Sequence, residues 1–425
     1  MRALLCACVA IAAACASPRV ETALPTPTSA TASPAAATAA PEPSPTSEPA
    51  PTLSTAPTVV VPECRQPLPQ GGLIALCPDG AMLWLDGSLS REEQAAIAAQ
   101  VEDDLAAVQR EFKWTLRTRA VIHVRAGRDG YVDTLRSVFG YGGATAEYIA
   151  DNSVAFFEPS LRTIAVNWDE IRDRKPIAAI RHELTHVVTL EACAPRCDLV
   201  PAWFNEGEAR LQETTVGAEW RLVRVRYEAA SMLATATLLP LTTLWTQAQW
   251  NAYGDWMGYY KYQEAARAIE LIKEDVGPDA IPKIYARMRA GDDVPRAYAA
   301  LSGRSWASFV GGLDARIAAG VAAPRGIVTV APGADGTGLS YLLYGFPAEA
   351  NVTLRIRSHA VDQTQEVAVS PQGALFGSID NTYPQGEYTI TAAIGAVTVA
   401  AVTAVKRGGR LMQEDFEFPY TSLYR

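Results

Sequence analysis

Apolar and polar positions divide the chain into three stretches with different periodicities. Residues 16–62 are Pro, Thr, Ser and Ala with almost no aromatic side chain, so they have no apolar face to bury. From residue 63 to about 320, short alternating runs give way to runs at helical spacing. In Arg119 to Arg125, Ala120, Ile122 and Val124 alternate with His123, which predicts a strand. Ser153 to Phe157 and Thr163 to Trp168 predict a hairpin around Glu158-Pro159-Ser160. Ser90-Arg-Glu-Glu93 is a capping-box pattern that opens a long helix running to about Phe112. Behind Pro176, a helix-start residue, Ile177, Ile180, Leu184 and Val187 recur on one helical face. Pro201 marks another helix start, and helical patterns dominate from Ala202 to about Ala319. Strands first and helices later predict an α+β layout with any site where the halves meet.

The third stretch, residues 325–405, alternates again. Val352, Leu354 and Ile356 interleave with Thr353, Arg355 and Arg357, and Tyr388 to Ala392 and Val397 to Val405 repeat the pattern. Turn signals at Pro332-Gly333, Gln372-Gly373 and Gln385-Gly386 separate the runs. This spacing predicts a small all-β sandwich, similar in pattern to bacterial immunoglobulin-like modules. It serves either as a binding module or as a spacer.

The polar residues on the face opposite the Ile180 and Leu184 stripe carry the chemistry. Residues 182–186 read His-Glu-Leu-Thr-His, and the chain has only four histidines in all. Positions i and i+4 share a helix face, so His182 and His186 can point two imidazoles at one metal ion. Glu183 lies beside them as a candidate general base. Glu206 follows twenty positions after His186, in Trp203-Phe-Asn-Glu-Gly-Glu-Ala209. There it can supply a third ligand, leaving a fourth zinc position open to water. Glu208 is its rival, about 200° around the same helix. Gly207 removes a side chain where two helices can approach closely. His123 reads as a structural strand residue.

Together, His182-Glu183-Leu184-Thr185-His186 and Trp203-x-x-Glu206-Gly207-x-Ala209 resemble the gluzincin metallopeptidases, most nearly their small peptidase-MA-like bacterial branch. The likeness covers roughly residues 80–310. It extends weakly to Leu239-Pro240-Leu241 and Tyr259-Tyr260-Lys261-Tyr262-Gln263, before a helix ending near Gly277. It implies a thermolysin-like catalytic domain, with an N-terminal mixed sheet and C-terminal helices, that hydrolyses peptide bonds. His182, His186 and Glu206 would bind Zn2+, and Glu183 would take the proton of the attacking water. A tyrosine commonly stabilises the intermediate in that group; Tyr260 is the choice here, with Tyr259 and Tyr262 as rivals. Thermolysin-like members place an aspartate four residues after the third ligand to support a zinc histidine. Arg210 stands there instead, so that support must come from elsewhere. The alternative function is a catalytically inert, surface-anchored binding lipoprotein that keeps a structural zinc site.

Other features set the context. Arg2 precedes a short apolar run, Ala3 to Ala14, and then Cys15, which resembles a lipoprotein processing site. The expected product is an extracytoplasmic chain anchored to a membrane through Cys15, with ordinary secretory cleavage as the alternative. The parts are then 1–15 signal peptide, 16–62 disordered stalk, 63–322 peptidase-like domain, 323–405 sandwich and 406–425 tail. Of seven cysteines, Cys64 with Cys77 and Cys193 with Cys197 form local pairs, as expected of disulfides in an exported chain. The net charge of −9, without a basic patch interleaved with aromatics, argues against nucleic acid as a partner and says little about substrate; the resemblance implies a peptide or protein substrate. No later run is long and apolar enough to predict a membrane span.

Overall fold

The computed structural model describes residues 73–413, apart from 173–176, 217–219, 254–256, 322–325, 333–337, 380–382 and 408–409. The leader, Cys15, the stalk, Cys64, Pro176 and residues 414–425 therefore lie outside the described residues. The chain begins with β1 (Leu73–Leu76), β2 (Ala81–Asp86), α1 (Arg91–Phe112) and β3 (Ala120–Arg125). It continues through α2 (Arg128–Ser137), α3 (Gly143–Asn152), β4 (Ala155–Glu158), β5 (Thr163–Asn167) and the short α4 (Trp168–Ile171). These strands form one mixed sheet in the order β1-β2-β3-β5-β4. The central β2, β3 and β5 run parallel, and antiparallel β1 and β4 close the two edges. The hairpin expected around Pro159 is β4–β5, with Glu158 opposite Thr163.

Period-two alternation sends the two faces of this sheet to two different covers. Ala120, Ile122 and Val124 are fully buried and share a core with Ile97, Val101 and Leu105 of α1. Ala165, on the other face of β5, packs with Tyr131, Val132 and Leu135 of α2. The Ser90–Glu93 capping box is present in both directions, satisfying backbone N–H groups at the start of α1.

Next come α5 (Ala179–Cys193), α6 (Ala202–Thr214), α7 (Trp220–Ala234), α8 (Gln247–Ala252) and α9 (Met257–Val276). The helical half ends with α10 (Ala280–Arg289), α11 (Val294–Ser302), α12 (Trp306–Gly311) and α13 (Leu313–Ala319). Ile180, Leu184 and Val187 of α5 are completely buried, each contributing about 1.5–3 kcal/mol of apolar burial. Gly207 of α6 meets α9 at backbone contact: a Cβ there would stand 2.6 Å from the carbonyl carbon and oxygen of Ala265.

The C-terminal strands are β6 (Ile327–Pro332), β7 (Leu339–Tyr344), β8 (Asn351–Arg357), β9 (Asp362–Ala368), β10 (Ala374–Ile379), β11 (Gly386–Ile394), β12 (Val397–Arg407) and β13 (Arg410–Gln413). They form two antiparallel sheets, β10-β7-β6 and β13-β12-β11-β8-β9. Val328, Val330, Tyr341 and Leu343 from one sheet share a core with Val352, Leu354, Ile356 and Ile390 from the other. The Tyr388 hydroxyl donates to the Pro384 carbonyl at 2.6 Å, tying β11 to the turn before it.

Two details bear on how the last strands sit. Residues 410–413 dock on the second sheet: they pair with β12 at Arg407↔Arg410 through Ala404↔Gln413, where the β12 edge offers an unpaired backbone row. The strands also share a core with the helical part. Residues 64–425 cluster as one compact unit, and Tyr227 of α7 joins the core of the two sheets. Among the described residues, no helix is long and apolar enough to cross a membrane.

Candidate metal centre

α5 and α6 bring the three expected ligands together. His182 Nε2 lies 3.5 Å from Glu206 Oε2, and His186 Nε2 lies 3.6 Å from the same oxygen. The donor atoms of His182, His186 and Glu206 all fall within 4.8 Å of one another, a cluster that can hold a metal ion. The two imidazoles stand one helical turn apart, with centroids 4.8 Å apart and planes nearly perpendicular. The three side chains are 12%, 10% and 11% exposed, so the cluster is mostly buried but not sealed, and His186 lines a neighbouring cleft.

Both histidines are held from behind. His182 Nδ1 lies 2.5 Å from Glu213 Oε1, and His186 Nδ1 lies 3.1 Å from Asn205 Oδ1. In each case the oxygen can accept a hydrogen bond from Nδ1–H, which fixes the ring so that Nε2 faces the cluster and can lose its proton to a metal ion. Glu213 is fixed in turn by Arg210, whose Nε donates to Gln263 of α9 at 3.2 Å. Arg210 therefore supports the cluster at one remove: it holds the carboxylate that holds His182. Arg181 anchors the start of α5 to buried Asp104 at 2.8 Å and to Thr215 at 2.7 Å.

The electrostatics follow from packing carboxylates and imidazoles together out of water. Burial works against a charged His182, but hydrogen bonds to Glu206 and Glu213 prevail and raise its pKa well above the ordinary value. Burial would raise Glu206, yet the two histidines hold it far below the usual carboxylate range. Glu183 goes the other way: burial raises it, and the nearby histidines offset only part of that rise. The arrangement of two neutral-capable nitrogens, one ionised carboxylate and fixed Nδ1 partners suits a divalent cation.

The remaining candidates separate cleanly. Glu208 points away from the cluster, is 1% exposed and accepts a hydrogen bond from the Tyr285 hydroxyl at 3.0 Å. Burial raises its pKa well above the usual value, which marks it as a structural acid. Tyr260 does not reach the centre: it is fully buried with Met232, Ala331 and Leu342, and its ring meets Phe376 of β10. Tyr262, two residues on and so on another face of α9, lies 6.0 Å ring to ring from His182. It is wedged there by Trp250, 4.9 Å away edge-on. Burial, then the charges of Glu206, Glu183 and Glu213, push its pKa well up, so it keeps its proton. The side chain of Tyr259 lies outside the described residues.

His123 stacks on Trp84 within the first sheet and belongs to that structure, not to the centre. Cys193 and Cys197 form the expected disulfide, and Cys77 is also disulfide-bonded. Sequence reasoning missed Glu213 and Asn205. The available signals were position: Glu213 follows Glu206 by seven residues, two turns along one face, and Asn205 adjoins it. The chain matches no protein-family model and no curated protein.

Proposed function

We propose that this chain is an extracytoplasmic, zinc-dependent peptidase of the gluzincin type, anchored through Cys15. The observation that carries the reading is the pairing of a three-donor cluster with a buried carboxylate, Glu183, that adjoins one of its members on the same helix. A purely structural metal site has no use for such a base. The Cys193–Cys197 disulfide fits an oxidising compartment, in keeping with the leader and stalk. β4, the edge strand next to α5, has Phe157 stacked on His186, so an extended peptide can pair alongside it and cross the centre.

When bound, zinc would supply Lewis acidity to a water and to the scissile carbonyl. Glu183 takes a proton from that water as its oxygen bonds to the carbonyl carbon, and returns the proton to the amine nitrogen as the C–N bond breaks. The Tyr262 hydroxyl, kept protonated, donates to the carbonyl oxygen as negative charge gathers there. Glu213 and Asn205 hold the two imidazoles in the orientation the centre needs.

The test is peptide-library digestion by the purified chain with metal, with chelator, and with metal restored, alongside Glu183→Gln. Hydrolysis should depend on metal, and Glu183→Gln should keep its metal while losing activity by about 10²–10⁴-fold. Stoichiometric metal with no hydrolysis of any peptide would leave the inert binding lipoprotein as the better reading.

A further inference from the structure

A cleft of about 340 Å³ opens directly beside the second histidine. His186, Thr189, Leu190 and Cys193 all line it, and their spacing of three, four and seven residues is one continuous face of α5. The helix face that carries the metal ligand thus continues as the wall of the cleft. Phe157 and Trp245 supply aromatic surface, and Val200 closes a further side. The bridge from Cys193 to Cys197 ties the 197–200 segment to the end of α5, which fixes the depth of the cleft.

The polar groups present are already engaged or peripheral. Asn205 is committed to His186, and the one ionised lining residue besides the centre, Asp198, is exposed and bonded to Arg196. A charged side chain entering this space would lose its hydration with no free opposite charge to meet it, whereas an apolar one would gain burial.

We infer that this cleft is a substrate side-chain pocket for a large apolar residue close to the scissile bond, with the Cys193–Cys197 bridge as part of its wall. The inference rests on the peptidase reading for its biological meaning, but occupancy of the pocket can be measured without hydrolysis. It makes Val200 and Trp245 specificity-determining residues that touch the substrate side chain and not the reacting atoms.

The experiment uses the full chain loaded with zinc and peptides that differ at one position among Phe, Leu, Ala, Lys and Glu. Phe and Leu peptides should be preferred. Val200→Trp, which fills the cleft, should lower kcat/KM for them by about 10- to 200-fold and leave the Ala peptide nearly unchanged. Trp245→Ala should admit a naphthyl side chain that the parent chain rejects. If Val200→Trp does not fold, Gln247→Trp at the rim of the cleft makes the same test. Equal loss on all peptides, or no change on any, overturns the pocket.

Should the parent chain cleave nothing, saturation-transfer NMR with N-acetyl-phenylalanine amide and its alanine counterpart separates the two ideas. A phenylalanine signal that vanishes in Val200→Trp keeps the pocket and sinks the peptidase. No signal for either amide overturns the pocket on its own account.

Discussion

The helical half and the β half of this chain solve the same packing problem in opposite ways. The β half buries Val330, Leu343, Val352, Ile356, Ile390 and their neighbours, and its buried polar residues are only Thr329, Ser340 and Lys406 among those described. The helical half buries Glu183, Glu206, Glu208, Glu264, Lys261 and Arg267 at 9% exposure or less. Withdrawing ionisable groups from water costs free energy unless each is paired or neutralised. The half that bears the donor cluster carries that cost, and the other half is a nearly apolar scaffold packed on α7. The contrast separates where chemistry resides from where stability comes cheaply.

The sharpest way to break the contrast is Glu264. It is fully buried, accepts among the described residues only from the Leu239 N–H at 2.9 Å, and burial lifts its pKa to about 8. In the unfolded chain it ionises near its ordinary value. Its contribution is therefore complete below that value and is lost as pH rises toward 8. The expected loss is on the order of 5 kcal/mol, read from denaturant midpoints across that window. Glu264→Gln should flatten the slope; an unchanged slope would mean that the buried acid is not the cause.

Gly207→Ala comes next. Driving a methyl group into the Ala265 carbonyl should cost about 1–3 kcal/mol by thermal unfolding, and should weaken metal binding because α6 carries Glu206. Glu213→Ala removes the acceptor behind His182 and should reduce metal affinity about 10- to 100-fold by competitive chelator titration. The smallest effect sharpens the comparison from the other side. Ile390→Val in the scaffold core should cost about 0.5–1.5 kcal/mol of stability and leave kcat/KM for peptides unaltered. A large loss of activity there would show that the two halves are coupled.

What the sequence made legible depended on range. His182, His186 and Glu183 follow from a single helical turn, and the Ser90 capping box from three residues of spacing. Glu206 needed only the assumption that the next helix folds back. The choice between Tyr260 and Tyr262 was not legible, because both sit on α9 and only its rotation against α6 decides which faces His182. Glu213 was hidden for a related reason: a carboxylate beside Arg210 reads as an ordinary surface pair until His182 arrives from another helix. The docking of the strands on α7 was equally silent, since an inward-facing strand residue alternates in the same way whether its sheet stands alone or is covered.

Gly207 has a kinematic consequence. With hydrogen as its only side chain, α6 and α9 touch backbone to backbone, so Glu206 on one helix and Tyr262 on the other ride on a single rigid piece. A change in their spacing would have to pull that backbone contact apart. Across the cleft from them, Phe157 of β4 and Pro159 of the following turn belong to a different element pair, not tied to α6 and α9 by that contact.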